Sequence, residues 1–410
     1  MKAKVAVVDL LLHYPPKGGA CVDLLNVLKL LAADFDLMVF TPKWASEANP
    51  RGRVEGIPLP VKVVEIAEPA RQTIIAGFEA ALGAWEPDIV YLADGWTLKP
   101  YLTKAFRKRW PTLVKFYAYE GLCPRNNQRW LPGGRCGSHL FLDEAGCLRC
   151  AQEYHALIKE KRAGGDNPLT EEMALSGIFS GDYGETMRGA VKGLHAIVSN
   201  RLEAAILEEA GAARVSVVPG GVDTALFTSG LAPTRGAFEI LVAGRMTDAA
   251  KGASTALEAG ALLAERGLRF RMTMTRPKTP GAPSWLEERG WVEHDKLIEL
   301  YRRASCAVVP SLWDEAFGLA WAEALAAGVP VAASAVPGPL EYLVDGENAL
   351  LFPPGDAQAL AAAVVRLAHD PALRGRLAEA GSKLARGRLT WDNAAKETKA
   401  AIEAALGAER

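Results

Sequence analysis

Several features that would assign this chain at a glance are missing. No run approaches the roughly eighteen consecutive apolar residues of a membrane-crossing helix. The apolar stretch within MKAKVAVVDLLLHYPP is interrupted by Asp9, and no small-residue cleavage site follows, so it does not read as a secretion signal. There is no excess of either charge. The 47 basic and 48 acidic residues nearly cancel, which removes the bulk electrostatic case for nucleic acid or an acidic membrane. Only six cysteines occur in 410 residues, too few, without a signal, to suggest a disulfide framework. Neither GxGxxG nor GxxxxGK[ST] follows a strand-like run, so the phosphate loops of dinucleotide-binding and P-loop proteins are lacking. The expectation is a soluble cytoplasmic protein, with the inner face of a membrane as the alternative location.

What is present is a rhythm. KVAVVDLLL reads as a buried strand, Gly18 and Gly19 follow it, and ACVDLLNVLKLLAA is a helix with apolar spacings of three and four. FDLMVFTP, PDIVYLADG and TLVKFYAYE read as strands, separated by the helices TIIAGFEAALGAW and KPYLTKAFRKRW. Strands alternating with helices predict a parallel, doubly wound sheet. Residues 121–182, rich in Cys, Gly, Arg and Asn, break the rhythm as an insertion, and GLHAIVSN resumes it. The polar, turn-rich stretch 228–237 reads as a linker. A second series begins at FEILVAGR and runs through FRMTMTR, CAVVPS and VPVAAS. The predicted domains are 1–227 and 238–390, with a last helix in 391–410 that packs on either. The expected fold is α/β, two Rossmann-like sheets facing a cleft, with ligands beyond the carboxyl ends of the strands.

Two stretches carry chemistry. In SLWDEAFGLAWAEALAAGVPV, residues 311–331, a loop follows the strand CAVVP and a helix is predicted from near Gly318 to Gly328. The backbone N–H groups of Phe317, Gly318 and Leu319 then form a helix N-terminus, which favours anions. Glu315 precedes it and Glu323 lies on the helix. A carboxylate accepts hydrogen bonds from hydroxyls, so two carboxylates flanking an anion site suit a sugar phosphate. A solvated helix face is the plain alternative. In LVAGRMTDAAKGAST, Gly244 ends a strand, and Arg245 and Lys251 follow it. Two cations suit a diphosphate; surface charges on a loop are the plain alternative.

Together, GRMTDAAKG, PSLWDEAFGLAWAEALAAGVPVAAS and PGGVDTALF resemble the retaining GT-B glycosyltransferases, the large nucleotide-sugar-dependent family that includes sucrose-synthase-like and bacterial mannosyl- and glucosyltransferases. The match is most specific over 240–355 and looser before 195. The resemblance implies a hexosyltransferase with a nucleoside-diphosphate sugar as donor, held mainly by the C-terminal domain. The acceptor, held mainly by the N-terminal domain, is a glycan, a small molecule or a lipid-linked molecule. Arg245 and Lys251 are implied at the diphosphate, with Gly244 beside them and Gly19 facing it. Glu315, Ala316, Phe317, Gly318 and Leu319 are implied at the sugar and phosphates, and Glu323 at the ribose. The implied chemistry is retention without a catalytic metal. A non-catalytic nucleotide-sugar or glycan-binding protein and a GT-B epimerase are the rivals.

Departures concentrate in the N-terminal half. Many relatives carry a His after the strand that ends here in VKFYAYEGLCP; this chain has Tyr117, Tyr119 and Glu120, and Glu120 is the substitute considered for catalysis. Where relatives often have Gly-x-Gly, it has Thr275-Arg276-Pro277. His13 and His195 read as loop and structural residues, and Asp223 as a turn support. Cys147-x-x-Cys150 is a good half-site for tetrahedral zinc, and Cys123 and Cys136 are the looser second pair; a structural zinc, free thiols or a disulfide, and an iron–sulfur cluster are all open. The basic-aromatic stretch 104–110 reads as a solvated helix face or a lipid contact.

Overall fold

The structure is a computed structural model, and it describes residues 2–16, 18–44, 52–125, 129–131, 134–161, 168–227 and 237–408. The predicted linker 228–237 lies outside the described residues except for its last position. The described chain divides into two compact units. One comprises Met1–Arg129, Cys136–Pro219 and Ala394–Arg410; the other comprises Trp130–Arg135 and Gly220–Asn393.

The first unit is built on β1 (Lys4–Asp9), β2 (Asp36–Lys43), β3 (Val61–Glu65), β4 (Ile89–Asp94) and β5 (Thr112–Lys115). A short antiparallel hairpin, β6 (Trp130–Leu131) and β7 (Gly134–Arg135), groups with the second unit. β8 (His195–Val198) and β9 (Arg214–Val217) complete the first sheet, whose order is β3-β2-β1-β4-β5-β8-β9 with every pair parallel. The continuous apolar runs are explained by helices on both faces: Val5, Val7, Ile89 and Tyr91 are fully buried. The winding reverses between β1 and β4, where the register shifts after Val8 and Asp9 pairs with Asp94.

The second unit repeats the plan with β10 (Phe238–Val242), β11 (Phe270–Met274), β12 (Leu286–Glu288), β13 (Cys306–Val309), β14 (Val331–Ser334) and β15 (Leu350–Phe352). The order is β12-β11-β10-β13-β14-β15, again all parallel, and the reversal falls between β10 and β13. Apolar cores lie on both sides of this sheet. One gathers Ile240, Met272 and Leu360; the other gathers Trp321, Leu325 and Tyr301. The strands β3, β12 and β15 have no counterpart in the sequence reading. Each is a short edge strand, and β3 buries only Val64 among half-buried and exposed residues, so none gives a long apolar run. The predicted helix KPYLTKAFRKRW is confined to Lys99–Phe106.

The loops after β10 and β13 touch at the second reversal. Gly252 sits at φ +73°, and a Cβ there would stand 1.8 Å from the Pro310 carbonyl oxygen. Just beyond, the Leu312 N–H donates to the Ala250 carbonyl at 2.8 Å. Gly252→Ala is therefore expected to force these loops apart and to adopt a strained backbone, at a cost of about 1–3 kcal/mol. Thermal denaturation should show a fall in Tm of several degrees; an unchanged Tm would mean that the two loops are not held here.

Candidate active site

The site in the second unit is assembled from those two loops. Lys251, at the end of a single 3-10 turn after β10, points across to Glu315, after β13, with Nζ 2.8 Å and 3.1 Å from the two carboxylate oxygens. Glu315 is almost fully buried. Its Oε2 also accepts from the Ser311 hydroxyl at 2.7 Å and the Trp313 indole N–H at 2.9 Å. The Lys251 ammonium lies 4.9 Å from the centre of the Trp313 ring, so one indole serves both members of the pair. Asp314, beside them, is paired with Arg135 of the β6–β7 hairpin.

Immediately after Glu315 the chain turns into the helix Leu319–Ala326. Gly318 makes the turn at φ +92°, where a Cβ would stand 2.9 Å from Glu315 Cγ and 3.1 Å from the Trp321 ring. No side chain among the described residues caps this helix, so its first N–H groups remain available to an anion. Phe317, Trp321 and Tyr342 form an aromatic base under the turn, with ring centres 5.0–5.9 Å apart. Trp321 donates to the Phe317 carbonyl at 2.7 Å. Ala316 is buried in the same turn, and Gly338 backs it, its N–H donating to the Glu315 carbonyl at 2.9 Å. Glu323 lies on the helix at 8% exposure, with Oε2 3.1 Å from the Tyr301 hydroxyl. Burial pushes its carboxyl up to about 7, and the hydrogen bond from Tyr301 works against that rise.

Arg245 stands apart from the Lys251–Glu315 pair. Its side chain is 62% exposed and its nearest acid is Asp248 at 3.9 Å. Gly244, before it, is clasped by Thr275: its N–H donates to Thr275 Oγ1 at 2.9 Å, and that hydroxyl donates to the Gly244 carbonyl at 2.6 Å. Arg276 is engaged by the buried Glu288 at 3.0 Å. Asp223 Oδ1 accepts from the N–H groups of Ala225 and Leu226, a turn support.

In the first unit, Gly19 is the exposed first residue of the helix Gly19–Leu31, which also has no side-chain cap. Glu120 is nearly buried. Its Oε2 accepts the Tyr117 N–H at 3.0 Å and its Oε1 is 3.6 Å from Lys99 Nζ. Lys99, also buried, donates to the carbonyls of Ala93 and Lys115 at 3.0 Å and 2.7 Å. Burial pushes Glu120 up to about 7 despite Lys99, and burial together with Asp94 pushes Asp9 up to about 7. The Tyr91 and Tyr117 hydroxyls are buried without a hydrogen-bond partner among the described residues, and both feel Asp23 and Asp9. Tyr119 lies under the Arg129 guanidinium, 5.5 Å from its ring centre. His13 Nδ1 is 3.0 Å from the Leu11 carbonyl, and His195 opens β8. In the stretch 104–110, Arg107 is bonded to the carbonyls of Ala190, Lys192 and Gly193, and Arg109 lies over Trp110.

The zinc expectation gains no support among the described residues. Cys123, Cys136, Cys147 and Cys150 form no disulfide among the described residues, and no three or more His, Cys, Asp or Glu side chains among the described residues are arranged to hold a metal ion. Cys147 and Cys150 lie one turn apart on the helix Glu144–Lys161, but the Cys136 thiol turns to the Ser138 carbonyl at 3.8 Å. Burial pushes Cys147 up to about 12, reinforced by Cys123 and Cys136. Cys123 and Cys136 are near enough to raise the values of both Cys147 and Cys150.

Sequence reasoning missed Ser311, Trp313 and Tyr301. The first two stood inside the quoted stretch, where a donor two or four residues from an acid was the available signal. Tyr301, in HDKLIELYRRA, looks like any core residue of an amphipathic helix.

Residues 289–384 match the family described as Glycosyl transferases group 1. A glycogen synthase of Mycobacterium tuberculosis is 31% identical over 214 residues, which are 49% of this chain and 51% of that protein. The chain thus spans about half the length of the curated relatives it matches. Among solved structures, the sucrose-phosphate synthase from Thermosynechococcus elongatus superposes with a TM-score of 0.68 at 19% identity, covering 99% of this chain and 100% of that one. Anabaena Alr3699/HepE in complex with UDP-glucose superposes with a TM-score of 0.66 at 15% identity, covering 98% and 99%. The two parallel-sheet α/β units are those of the GT-B fold, and the segment 289–384, which contains Glu315 and Glu323, is a glycosyl transferases group 1 segment.

Proposed function

We propose that this chain is a retaining glycosyltransferase that moves a hexosyl group from a nucleoside-diphosphate sugar to an acceptor hydroxyl without a catalytic metal. The observation that carries this reading is the Lys251–Glu315 pair beside the uncapped N-terminus of the helix Leu319–Ala326. A cation, a carboxylate and free backbone N–H groups meet at the reversal point of a parallel sheet, where such sheets bind ligands. The matched group 1 segment and a structural neighbour that binds UDP-glucose support it.

In this reading the bond between the sugar's anomeric carbon and the diphosphate oxygen breaks first, and negative charge grows on the leaving nucleoside diphosphate. Lys251, Arg245 and the N–H groups of Phe317, Gly318 and Leu319 stabilise that charge, the role a metal plays elsewhere. Gly244 and Gly19 let backbone approach the diphosphate. Glu315, fixed by Ser311 and Trp313, faces the sugar as it becomes cationic, and Ala316 continues that wall. The acceptor hydroxyl attacks on the face that the leaving group vacates, and its proton passes to the departing phosphate oxygen. Glu323 holds the ribose. In the first unit, Glu120 is assigned to the acceptor side. The acceptor is a glycan, a small molecule or a lipid-linked molecule, bound by that unit.

Nucleoside diphosphates and their sugars should raise the Tm in proportion to affinity; a panel of bases that leaves it unmoved would overturn the donor assignment. Steady-state kinetics test the roles. Glu315→Gln keeps the shape and removes the charge, so kcat should fall by about a hundredfold or more, with less change in donor affinity. Glu323→Ala should mainly raise donor KM, whereas Lys251→Ala and Arg245→Ala should damage both parameters. Wild-type behaviour of both acid variants would leave only a solvated face.

The first-unit carboxyls predict a pH effect on stability. Burial holds Asp9 and Glu120 at about 7 when folded, above the ordinary carboxyl range. Their contribution is therefore complete below the unfolded values and is lost as pH rises through 7. Tm should fall between pH 5 and pH 8, and Glu120→Gln should flatten the fall. An equal slope in variant and wild type would remove Glu120 from this titration.

A further inference from the structure

The Tyr301 hydroxyl occupies an overcommitted position. It lies 2.9 Å from the Ala320 carbonyl oxygen and 3.1 Å from Glu323 Oε2. A phenol has one proton to donate, so it cannot satisfy both acceptors. With Glu323 protonated, the carboxyl donates to the phenol oxygen and the phenol donates to Ala320. With Glu323 ionised, the phenol must choose, and the carboxylate is the stronger acceptor. Tyr301 is 1% exposed, and its ring is fixed against Phe227 at 5.8 Å, so the hydroxyl has little freedom to leave.

β13 and β14, on which the helix Leu319–Ala326 packs, carry only Cys, Ala, Val and Ser. The helix Pro371–Arg388, also packed on it, buries Leu373, Leu377, Ala378, Gly381, Ser382 and Ala385. The Tyr301 hydroxyl is held well above its ordinary value by burial and by Glu323, so it stays protonated. Glu323, at about 7, is the member of the pair that titrates near neutrality.

We propose that Tyr301 is a positioning residue for Glu323, and that donor binding is linked to loss of the proton the two groups share. This rests on the nucleotide-sugar reading above. A neutral carboxyl that donates to Tyr301 keeps one good acceptor oxygen for the ribose. An ionised carboxylate held by Tyr301 keeps two, and its hydrogen bonds are roughly twice as strong. The donor therefore selects the ionised form, and the Tyr301 hydrogen bond lowers the pH at which that form becomes available.

The probe is UDP-glucose, whose diphosphate diester has no titration near neutrality. Calorimetric affinities are measured from pH 6 to pH 8.5 for wild type, Tyr301→Phe and Glu323→Gln. Tyr301→Phe preserves the ring packing, and each variant is first shown to be folded by its thermal transition. Wild-type affinity should rise by roughly tenfold between pH 6 and pH 8, as one proton is lost near 7. Glu323→Gln should bind more weakly and without pH dependence. Tyr301→Phe should keep the rise but move it to higher pH, because the phenol's hydrogen bond holds the Glu323 value down. A Tyr301→Phe profile that superimposes on wild type would show that Tyr301 only packs. A flat wild-type profile would end the proton linkage. Failure of wild type to bind UDP-glucose, ADP-glucose and GDP-glucose alike would overturn the donor reading itself, and this proposal with it.

Discussion

The reversal of winding between β10 and β13 is the constraint on which the site depends. Two strands that lie side by side send their loops in opposite directions, and at that parting the loops must still be held together. Here the chain does it by close backbone approach at Gly252 and Pro310, by the Leu312–Ala250 hydrogen bond, and by the Lys251–Glu315 pair. A buried carboxylate needs such company. Glu315 receives Lys251, Ser311 and Trp313, and removing one would leave a charge poorly compensated in a dry setting. The same donors fix its position before any ligand arrives, which is the preorganisation a reacting site needs.

The two units use equivalent edges of their sheets in opposite electrostatic ways. At the reversal of the second sheet a cation and an uncapped helix face the opening of the loops, an arrangement suited to phosphates. At the reversal of the first sheet, Asp9 and Asp94 end neighbouring strands, with Glu120 and Lys99 close by. Carboxyls outnumber the ammonium there, and burial keeps some of them protonated near neutrality. Such a cluster repels phosphate and offers both donors and acceptors to hydroxyls. The division matches the proposed assignment of donor and acceptor.

Much of this was legible in the sequence, for physical reasons. Strands buried on both faces must be apolar throughout, so β1, β4, β10 and β13 stand out as runs. Gly318 and Gly252 mark turns that only glycine makes easily, and they bracketed Glu315 and Lys251 for attention. Edge strands are half-wet and short, so β3, β12 and β15 left no run to see. Contacts between distant segments were invisible as well: nothing in the spacing says that Lys251 meets Glu315, or that Tyr301 meets Glu323. The cysteines show how far spacing reaches. Cys147-x-x-Cys150 has the spacing of a metal half-site, yet spacing fixes only how two thiols share a helix face, not whether another two reach the same point.

The last residues of the described chain belong with the first unit: Thr398 and Ile402 are buried, and Lys399 meets Asp34 at 2.6 Å. On the ribosome this inverts the order of completion. The first unit is translated first but lacks its final helix until the whole of the second unit has emerged. The second unit, whose segments are nearly contiguous, has all but a short hairpin of its parts in one stretch of synthesis. The nascent chain therefore carries an unfinished first unit, with the surface that receives Thr398 and Ile402 uncovered, for the time it takes to translate some 170 further residues, at about 5–20 residues per second.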